Sequence, residues 1–292
     1  MNSLCRIAAG CLMFCVFSGA RPAATAPEWL STRGNNFVTA SGKPVILRGF
    51  VVITHYLNGR PLIYSPADYQ RMKSLGANYQ SIRIGASRIG AWKNTQLQPA
   101  YLTQLDRMVA LGRDAGMHSN FKLTVYDVKA LVGFGKKKAW KSIWENKNGE
   151  QERIIEAWKI LWRRYQNEPA IIAYDLLNEP EKGSLNVSDE EFIKSYLVPF
   201  YQKAIDAFHE IDRRHYAMFQ SPYGAPHFNV SVNRSQIIYA PHFYPNFINY
   251  FKKKDFSTTT YVPTMKRFLS EAQKKQRNAL HRRIRDAMES QT

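Results

Sequence analysis

The chain has 292 residues, of which 45% are hydrophobic and 22% charged, enough for one large domain with a substantial core or for two small ones. This composition excludes a disordered tail, a collagen and a small disulfide scaffold. The 41 Lys and Arg against 23 Asp and Glu give a net charge of +18, a surplus typical of proteins that bind nucleic acid, anionic membranes or acidic polymers.

The N-terminal residues 1–26 have the pattern of a secretory signal peptide. Arg6 precedes an apolar stretch, Ile7–Phe17, that is too short to span a bilayer. Ala24-Thr25-Ala26 matches the cleavage pattern, Ser18-Gly19-Ala20 is an alternative site, and a buried N-terminal helix is the competing interpretation. We therefore expect a secreted or periplasmic protein.

All three cysteines of the chain lie inside this segment, so the mature protein is expected to have no disulfide and no Cys-based metal site. The seven histidines show no paired ligand spacing, and we expect neither a metal nor another cofactor. No other stretch is long and apolar enough to insert stably in a membrane.

Strand-like and helix-like patterns alternate through the rest of the chain. Six segments, several of them near-continuous apolar runs, are predicted strands: Val45–Phe50, Tyr79–Ile84, Ser119–Val125, Ile171–Leu177, Tyr216–Gln220 and Gln236–His242. The predicted helices between and after them are Pro66–Leu75 with Ser65 as N-cap, Ala100–Gly116, Gln151–Tyr165, Ser188–Ile211 and Val262–Gln276.

This alternation predicts an α/β fold with a parallel sheet, and the spacing suits a TIM (β/α)8-type barrel. A doubly wound open sheet is the alternative. No G-x-G-x-x-G loop follows the first strand, which disfavours dinucleotide binding. With about six of eight βα units recognisable, the barrel is expected to be incomplete over residues 27–276, followed by a basic tail, 277–292.

Polar residues follow three of the predicted strands. The run ending at Leu177 continues into Asn178-Glu179-Pro180, which places a carboxylate suited to acid/base chemistry at a barrel mouth; a turn with a solvated Glu is the alternative. The last strand delivers His242 and Tyr244 to the same level, unless they only pack in the core. Arg83 lies at the end of the second strand, where a buried Arg requires an anionic partner.

The ordered set of motifs resembles glycoside hydrolase family 5, which includes cellulases, mannanases and endoglycoceramidases. The likeness begins at Gly42–Gly49, continues from Leu75-Gly76-Ala77-Asn78 to Arg83, and extends over roughly residues 34–270. It implies a retaining hydrolase of β-linked glycans, with an oligo- or polysaccharide as partner and a monomeric state.

The resemblance also implies individual roles. Glu179 corresponds to the general acid/base, Asn178 to the Asn that contacts the sugar 2-hydroxyl, and Arg83 to the Arg that orients the nucleophile. His242 and Tyr244 correspond to the site His and Tyr.

One strand departs from the family pattern. Its third strand usually ends in a His-containing segment, whereas this chain continues Leu123-Thr124-Val125-Tyr126-Asp127, so Tyr126 or Asp127 is expected to line the site instead. The indoles of Trp92, Trp140 and Trp144 are candidates for stacking on sugars, and packing in the core or a lid is at least as good an interpretation.

The family's nucleophile, a Glu in a Gly-Glu-Phe-Gly context at the end of the seventh strand, has no counterpart in residues 1–292. Glu271 and Glu289 lie in helix-like polar sequence and are poor substitutes. Residues 279–289 can be back-translated so that the next reading frame encodes Arg-Ser-Ile-Gly-Glu-Phe-Gly-Met-Pro-Trp. A frameshift near residue 278 is therefore a hypothesis that the encoding nucleotides would decide, and the chain as written is expected to hydrolyse poorly.

Two other classes of function compete with the hydrolase. A sugar-binding pseudoenzyme would keep the groove without turnover. A polyanion binder would account for the charge, but the sequence contains no nucleic-acid recognition motif, and Lys136–Lys138 and Lys252–Lys254 are interpreted as solvated loop charges. We therefore do not expect nucleic acid as a partner.

Overall fold

The structure is a computed structural model and describes residues 25–54, 63–125, 127–128, 136–222, 235–240 and 242. The strands, in chain order, are β1 Ser31–Arg33, β2 Asn36–Val38, β3 Pro44–Val45, β4 Gly49–Ile53, β5 Tyr79–Gly85, β6 His118–Thr124, β7 Ile171–Asp175, β8 Tyr216–Phe219 and β9 Ile237–Tyr239. The helices are α1 Pro66–Ser74, α2 Pro99–Asp114, α3 Lys136–Glu145, α4 Glu150–Tyr165, α5 Asp189–Phe192 and α6 Val198–His209.

Strands β4 to β9 form one parallel sheet of six strands, in which the spatial order equals the chain order. Helices connect the strands from β4 to β8 in turn. Because all six strands are parallel, their carboxyl ends lie at one edge of the sheet. This is the arrangement of consecutive strands in a TIM barrel, and it confirms the predicted fold class over the described residues.

The main core lies between the sheet and the helices and is rich in large rings. The indoles of Trp158 and Trp162 stack with their centroids 6.1 Å apart and are fully buried against Tyr174 and Phe208. An amphipathic pattern on α4 places these rings on one face, as the sequence predicted. Burying a large aromatic side chain contributes roughly 2–3 kcal/mol, so this helix is fixed firmly against β7.

A second, smaller core lies inside the sheet near its amino ends, below a three-stranded antiparallel sheet of β1, β2 and β3. Leu30, Phe37 and Val45 from this segment pack with Ile172 and Tyr216 of the parallel sheet. The small sheet therefore covers the end of the strands opposite to the candidate site. Its three short strands do not stand out in the sequence pattern.

Most predicted elements agree with the structure to within a few residues, including the Ser65 N-cap of α1, whose hydroxyl accepts from the backbone N–H of Asp68. The first predicted strand, Val45–Phe50, is wrong in its bounds, because the chain leaves the small sheet at Val45 and enters the parallel sheet only at Gly49.

The predicted helix Ser188–Ile211 is interrupted by a π-helical turn, Ile193–Leu197. Pro199 lies just beyond that turn. Because proline has no backbone N–H, it cannot donate a hydrogen bond to the preceding turn of the helix, and the backbone widens locally.

Lys136–Lys138 form the first turn of α3 and do not lie in a loop. Lys252–Lys254 and the predicted helix Val262–Gln276 lie outside the described residues. Across the described ranges, no helix has both the length and the apolar character needed to cross a bilayer.

Candidate active site

The carboxyl ends of neighbouring strands bring charged residues into one layer of the sheet. The strand registers pair Arg83 with Lys122, Lys122 with Asp175, and Asp175 with Met218. Because side chains alternate between the two faces of a strand, partners in register project to the same side. The layer therefore holds two cations and a carboxylate directly below the segment that carries Glu179.

Glu179 lies four residues beyond β7 in an unusual backbone conformation, with φ of +49°. Non-glycine residues rarely adopt this left-handed region, which costs about 1 kcal/mol or more. Two contacts hold it: its N–H donates to Gln220 Oε1 at 2.9 Å, and its Oε1 lies 2.6 Å from His242 Nδ1. Only 12% of the Glu179 side chain is exposed, so the carboxylate is largely shielded from solvent.

Gln220 follows β8 and connects the two carboxylates of the site. Its Nε2 donates to Asp175 Oδ2 at 2.7 Å while its Oε1 accepts from the backbone of Glu179. The main chain of Gln220 is held in turn by the hydroxyl of Tyr201, which donates to the carbonyl at 3.1 Å. Burial of that phenol raises the pKa of Tyr201, so the hydroxyl remains protonated and able to donate.

Asp175 is fully buried, and its partners are Lys122, whose Nζ lies 3.3 Å from Oδ2, and Gln220. Burial raises the pKa of this carboxyl, while Lys122, Gln220 and His242 oppose the increase by stabilising the anion. Because Asp175 is fully buried and its Oδ2 is bonded to Lys122 and Gln220, it is a poor nucleophile for a sugar and acts inside the network.

The predicted residues Arg83 and Asn178 lie beside this network. Asn178 is buried and its N–H donates to the carbonyl of Leu123 at 2.9 Å, which fixes the strand end next to β6. The carbonyl of Arg83 accepts from the Thr54 hydroxyl at 2.6 Å. Their contacts to a sugar and to a nucleophile remain predictions.

The third-strand candidates have different outcomes. Asp127 is partly buried, and its Oδ2 accepts from the N–H of Ser87 at 3.1 Å, so it joins the loops that follow β5 and β6. Tyr126 and Tyr244 lie outside the described residues.

For the three tryptophans, the interpretation as core-packing residues is confirmed and the alternative, stacking on sugars, is wrong. Trp92, Trp140 and Trp144 are at most 8% exposed, so no ring face is available to a sugar. The rings of Trp140 and Trp144 stack on each other, and the second indole donates to the carbonyl of Glu181 at 2.7 Å. They pack α3 against the loop that follows the Glu179 segment.

Three residues of this network were not recognised as such from the sequence: Lys122, Asp175 and Gln220. Asp175 ends the otherwise apolar β7, Gln220 directly follows β8, and Lys122 is a charged residue within β6. That irregularity was the available signal, because a charge inside a buried strand requires a partner nearby. In the part of the chain that the structure describes, no group of three or more His, Cys, Asp or Glu side chains is arranged to hold a metal ion.

A parallel βα sheet with an Asn-Glu pair following a buried strand defines a barrel protein of the glycosidase type. The family model for cellulase, glycosyl hydrolase family 5, matches residues 38–290, and the chain belongs to that family. A search of curated proteins found no match.

Solved structures with the same fold include an endogalactoceramidase (18% identity, TM-score 0.65, covering 74% of this chain and 60% of that one). Endo-glycoceramidase II from Rhodococcus sp., in complex with a cellobiose-like imidazole, matches at 18% identity and TM-score 0.67, over 85% of this chain and 66% of that one. An endoglucanase from the hyperthermophilic Thermotoga maritima matches at 15% identity and TM-score 0.53, over 73% of this chain and 66% of that one. The chain thus spans 60–66% of the length of these structures, and at these identities the likeness is one of fold.

Proposed function

We propose that the chain is a secreted, cellulase-like glycoside hydrolase of the retaining type, acting on β-linked glycans with Glu179 as general acid/base. The observation that carries this proposal is the position of Glu179: a carboxylate on a constrained backbone, bonded by Gln220 and His242, at the carboxyl edge of the sheet. A positioned carboxylic acid of this kind contributes typically 10²–10⁴-fold to cleavage when it protonates the departing oxygen.

A retaining reaction also needs a nucleophilic carboxylate about 5–5.5 Å from the acid. Asp175 is buried and paired within the network, and the sequence contains no Gly-Glu-Phe-Gly motif. The proposal therefore includes impaired turnover for a polypeptide of residues 1–292. A small carboxylate such as formate is expected to take the place of the missing group, as an external nucleophile that attacks the anomeric carbon.

The test compares aryl β-glycosides of glucose, mannose and cellobiose, with and without sodium formate. Formate is expected to raise the rate with a nitrophenyl leaving group in both the wild type and Glu179→Gln. With a more basic phenyl leaving group, which needs protonation, Glu179→Gln is expected to lose about 10²-fold or more of the formate-dependent rate.

Glu181→Gln is the matched control, because Glu181 is a nearby carboxylate that pairs with Lys136 at 3.1 Å. It is expected to behave as the wild type. Equal rates for Glu179→Gln and Glu181→Gln on the basic leaving group would refute the role of Glu179. Glycan binding without any formate-dependent cleavage would favour a sugar-binding pseudoenzyme. An affinity for polyanions that falls steeply with salt concentration would favour a polyanion-binding protein.

The proposal extends to export and to the monomeric state. Secretion rests on the signal pattern of residues 1–26, and sequencing the N-terminus of the exported protein tests it, with Pro27 or Arg21 expected as the first residue. Light scattering on the purified protein is expected to give the mass of one chain.

A further inference from the structure

Four side chains form one continuous line from the interior of the sheet to the candidate acid. Asp175 Oδ2 lies 3.3 Å from Lys122 Nζ, Lys122 Nζ lies 3.0 Å from His242 Nε2, and His242 Nδ1 lies 2.6 Å from Glu179 Oε1. Exposure along the line is 0% for Asp175, 12% for Lys122, 22% for His242 and 12% for Glu179. The two middle members therefore connect a fully buried carboxylate to one that is partly exposed.

The fold places Lys122 in this line through its register. Phe121 and Leu123 on either side of it face the helical core, so Lys122 projects into the sheet interior, where Asp175 is its partner on β7. A lysine buried without an anion would lose its charge, whereas a lysine beside a buried aspartate forms an ion pair. Arg83, its register partner on β5, adds a second positive charge to the same layer.

The contact with His242 has a chemical consequence, because an ammonium group has three donors and no acceptor. The Lys122 ammonium group can therefore bond His242 Nε2 only when that nitrogen carries a free lone pair, so the proton of the neutral ring must be on Nδ1. That nitrogen then donates to Glu179 Oε1. A doubly protonated ring would place an N–H against the ammonium.

From this geometry we infer that Lys122 is a positioning residue that sets the tautomer of His242 and, through it, the orientation of the Glu179 carboxyl. With Oε1 acting as an acceptor, the acidic proton of Glu179 belongs on Oε2, from which it passes to the departing oxygen of the glycoside. The inference on the tautomer stands by itself, and its effect on catalysis rests on the proposed function.

The tautomer can be read directly in the full chain, uniformly labelled with ¹⁵N, by long-range ¹H–¹⁵N correlation of the imidazole rings. The signals of His242 are assigned from their loss in His242→Asn. The wild type is expected to show the pattern of a neutral ring protonated at Nδ1. A ring protonated at Nε2 in the wild type would overturn the inference without any variant.

Two variants test the cause. Lys122→Met combined with Asp175→Asn removes the donor and its counter-ion together, leaving no unpaired buried charge, while Asn at 175 can still accept from Gln220. In this double variant the ring is expected to shift towards protonation at Nε2. Lys122→Arg keeps charge and donors and is expected to retain the wild-type tautomer.

Lys203→Met is the matched control, because Lys203 is a half-exposed lysine whose ion-pair partner is Glu152, a residue outside the line. It is expected to leave the His242 signals unchanged. Signals in the double variant that match those of the wild type would refute the role of Lys122.

In the formate-dependent assay, the kcat of the double variant is expected to be at least 10-fold below that of the wild type at similar KM. The kcat of Lys122→Arg is expected to lie between those two values. A wild type with the Nδ1 tautomer but no cleavage would contradict the proposed function alone. A wild type that cleaves with the Nε2 tautomer would contradict the inference alone.

Discussion

Replacing Gln220 by Leu removes the amide that joins the two carboxylates of the site and leaves a slightly shorter, apolar side chain. The change deletes the donor to Asp175 Oδ2 at 2.7 Å and the acceptor for the N–H of Glu179 at 2.9 Å. A hydrogen bond to a buried charged group contributes about 1.5–3 kcal/mol, and an unpaired backbone N–H costs about 1 kcal/mol more. We therefore expect the free energy of unfolding to fall by roughly 3 kcal/mol.

Urea unfolding followed by tryptophan fluorescence measures this loss, because the indoles of Trp158 and Trp162 are fully buried and become exposed on unfolding. Gln166→Leu is the matched control: its amide donates only to the carbonyl of Arg163 on the surface, so the change should stay within about 0.5 kcal/mol. If Gln220→Leu is no less stable than Gln166→Leu, the hydrogen bonds of Gln220 to Asp175 and Glu179 do not stabilise the site.

A second substitution at the same position tests the charge of Asp175. Gln220→Glu places a carboxylate beside the buried aspartate, so one of the two must be protonated in the folded state and its pKa rises above the unfolded value. A raised carboxyl pKa means that the folded state binds more protons, so stability falls as the pH rises. The deficit of Gln220→Glu relative to the wild type should therefore shrink at acidic pH, and a deficit independent of pH would contradict an ionised Asp175.

Three further predictions concern the supports of the site and the fold. Tyr201→Phe removes the hydroxyl that holds the main chain of Gln220 and should cost about 1 kcal/mol in urea unfolding, with a lower formate-dependent rate at unchanged KM. Burial alone would raise the pKa of Glu150, but hydrogen bonds from Ser142 and Asn148 lower it to about 2. The free energy of unfolding of Glu150→Gln should therefore be roughly 2 kcal/mol below that of the wild type at neutral pH, and the two values should converge as the pH falls from 4.5 towards 2. Gly49→Ala would place a methyl group 1.6 Å from the carbonyl oxygen of Tyr79 and should lower the free energy of unfolding by about 3 kcal/mol or more. In the control Gly34→Ala the methyl group meets no atom within 4 Å, and the loss should be about 1 kcal/mol because φ is positive there. Equal melting temperatures for these two variants would contradict the register of β4 on β5.

Much of the architecture follows from local sequence. Apolar runs alternating with amphipathic segments predict a parallel βα sheet, and the structure confirms it. β7, which is buried on both faces, is a nearly continuous apolar run. The same logic identified the end of β7 as the place for Glu179, since polar residues that follow a buried strand lie at the carboxyl edge of the sheet.

Other features depend on pairings between distant segments. Val45 and Gly49 are four residues apart in a similar local pattern but belong to different sheets, and the buried position of Trp144 depends on Phe192 and Phe200 from later elements. Local pattern carries no information on such partners, so the bounds of the first strand and the role of the tryptophans were not decided before the fold.

The sequence by itself determined the class of fold, the family motifs and the position of the candidate acid along the chain. Only the tertiary structure decided that Lys122, Asp175 and Gln220 surround that acid, although they come from three different strands separated by 45 to 98 positions in the chain. Register pairing sets which charges share a layer, and burial then makes each of them depend on its neighbour, because a charge removed from water is stable only beside a partner.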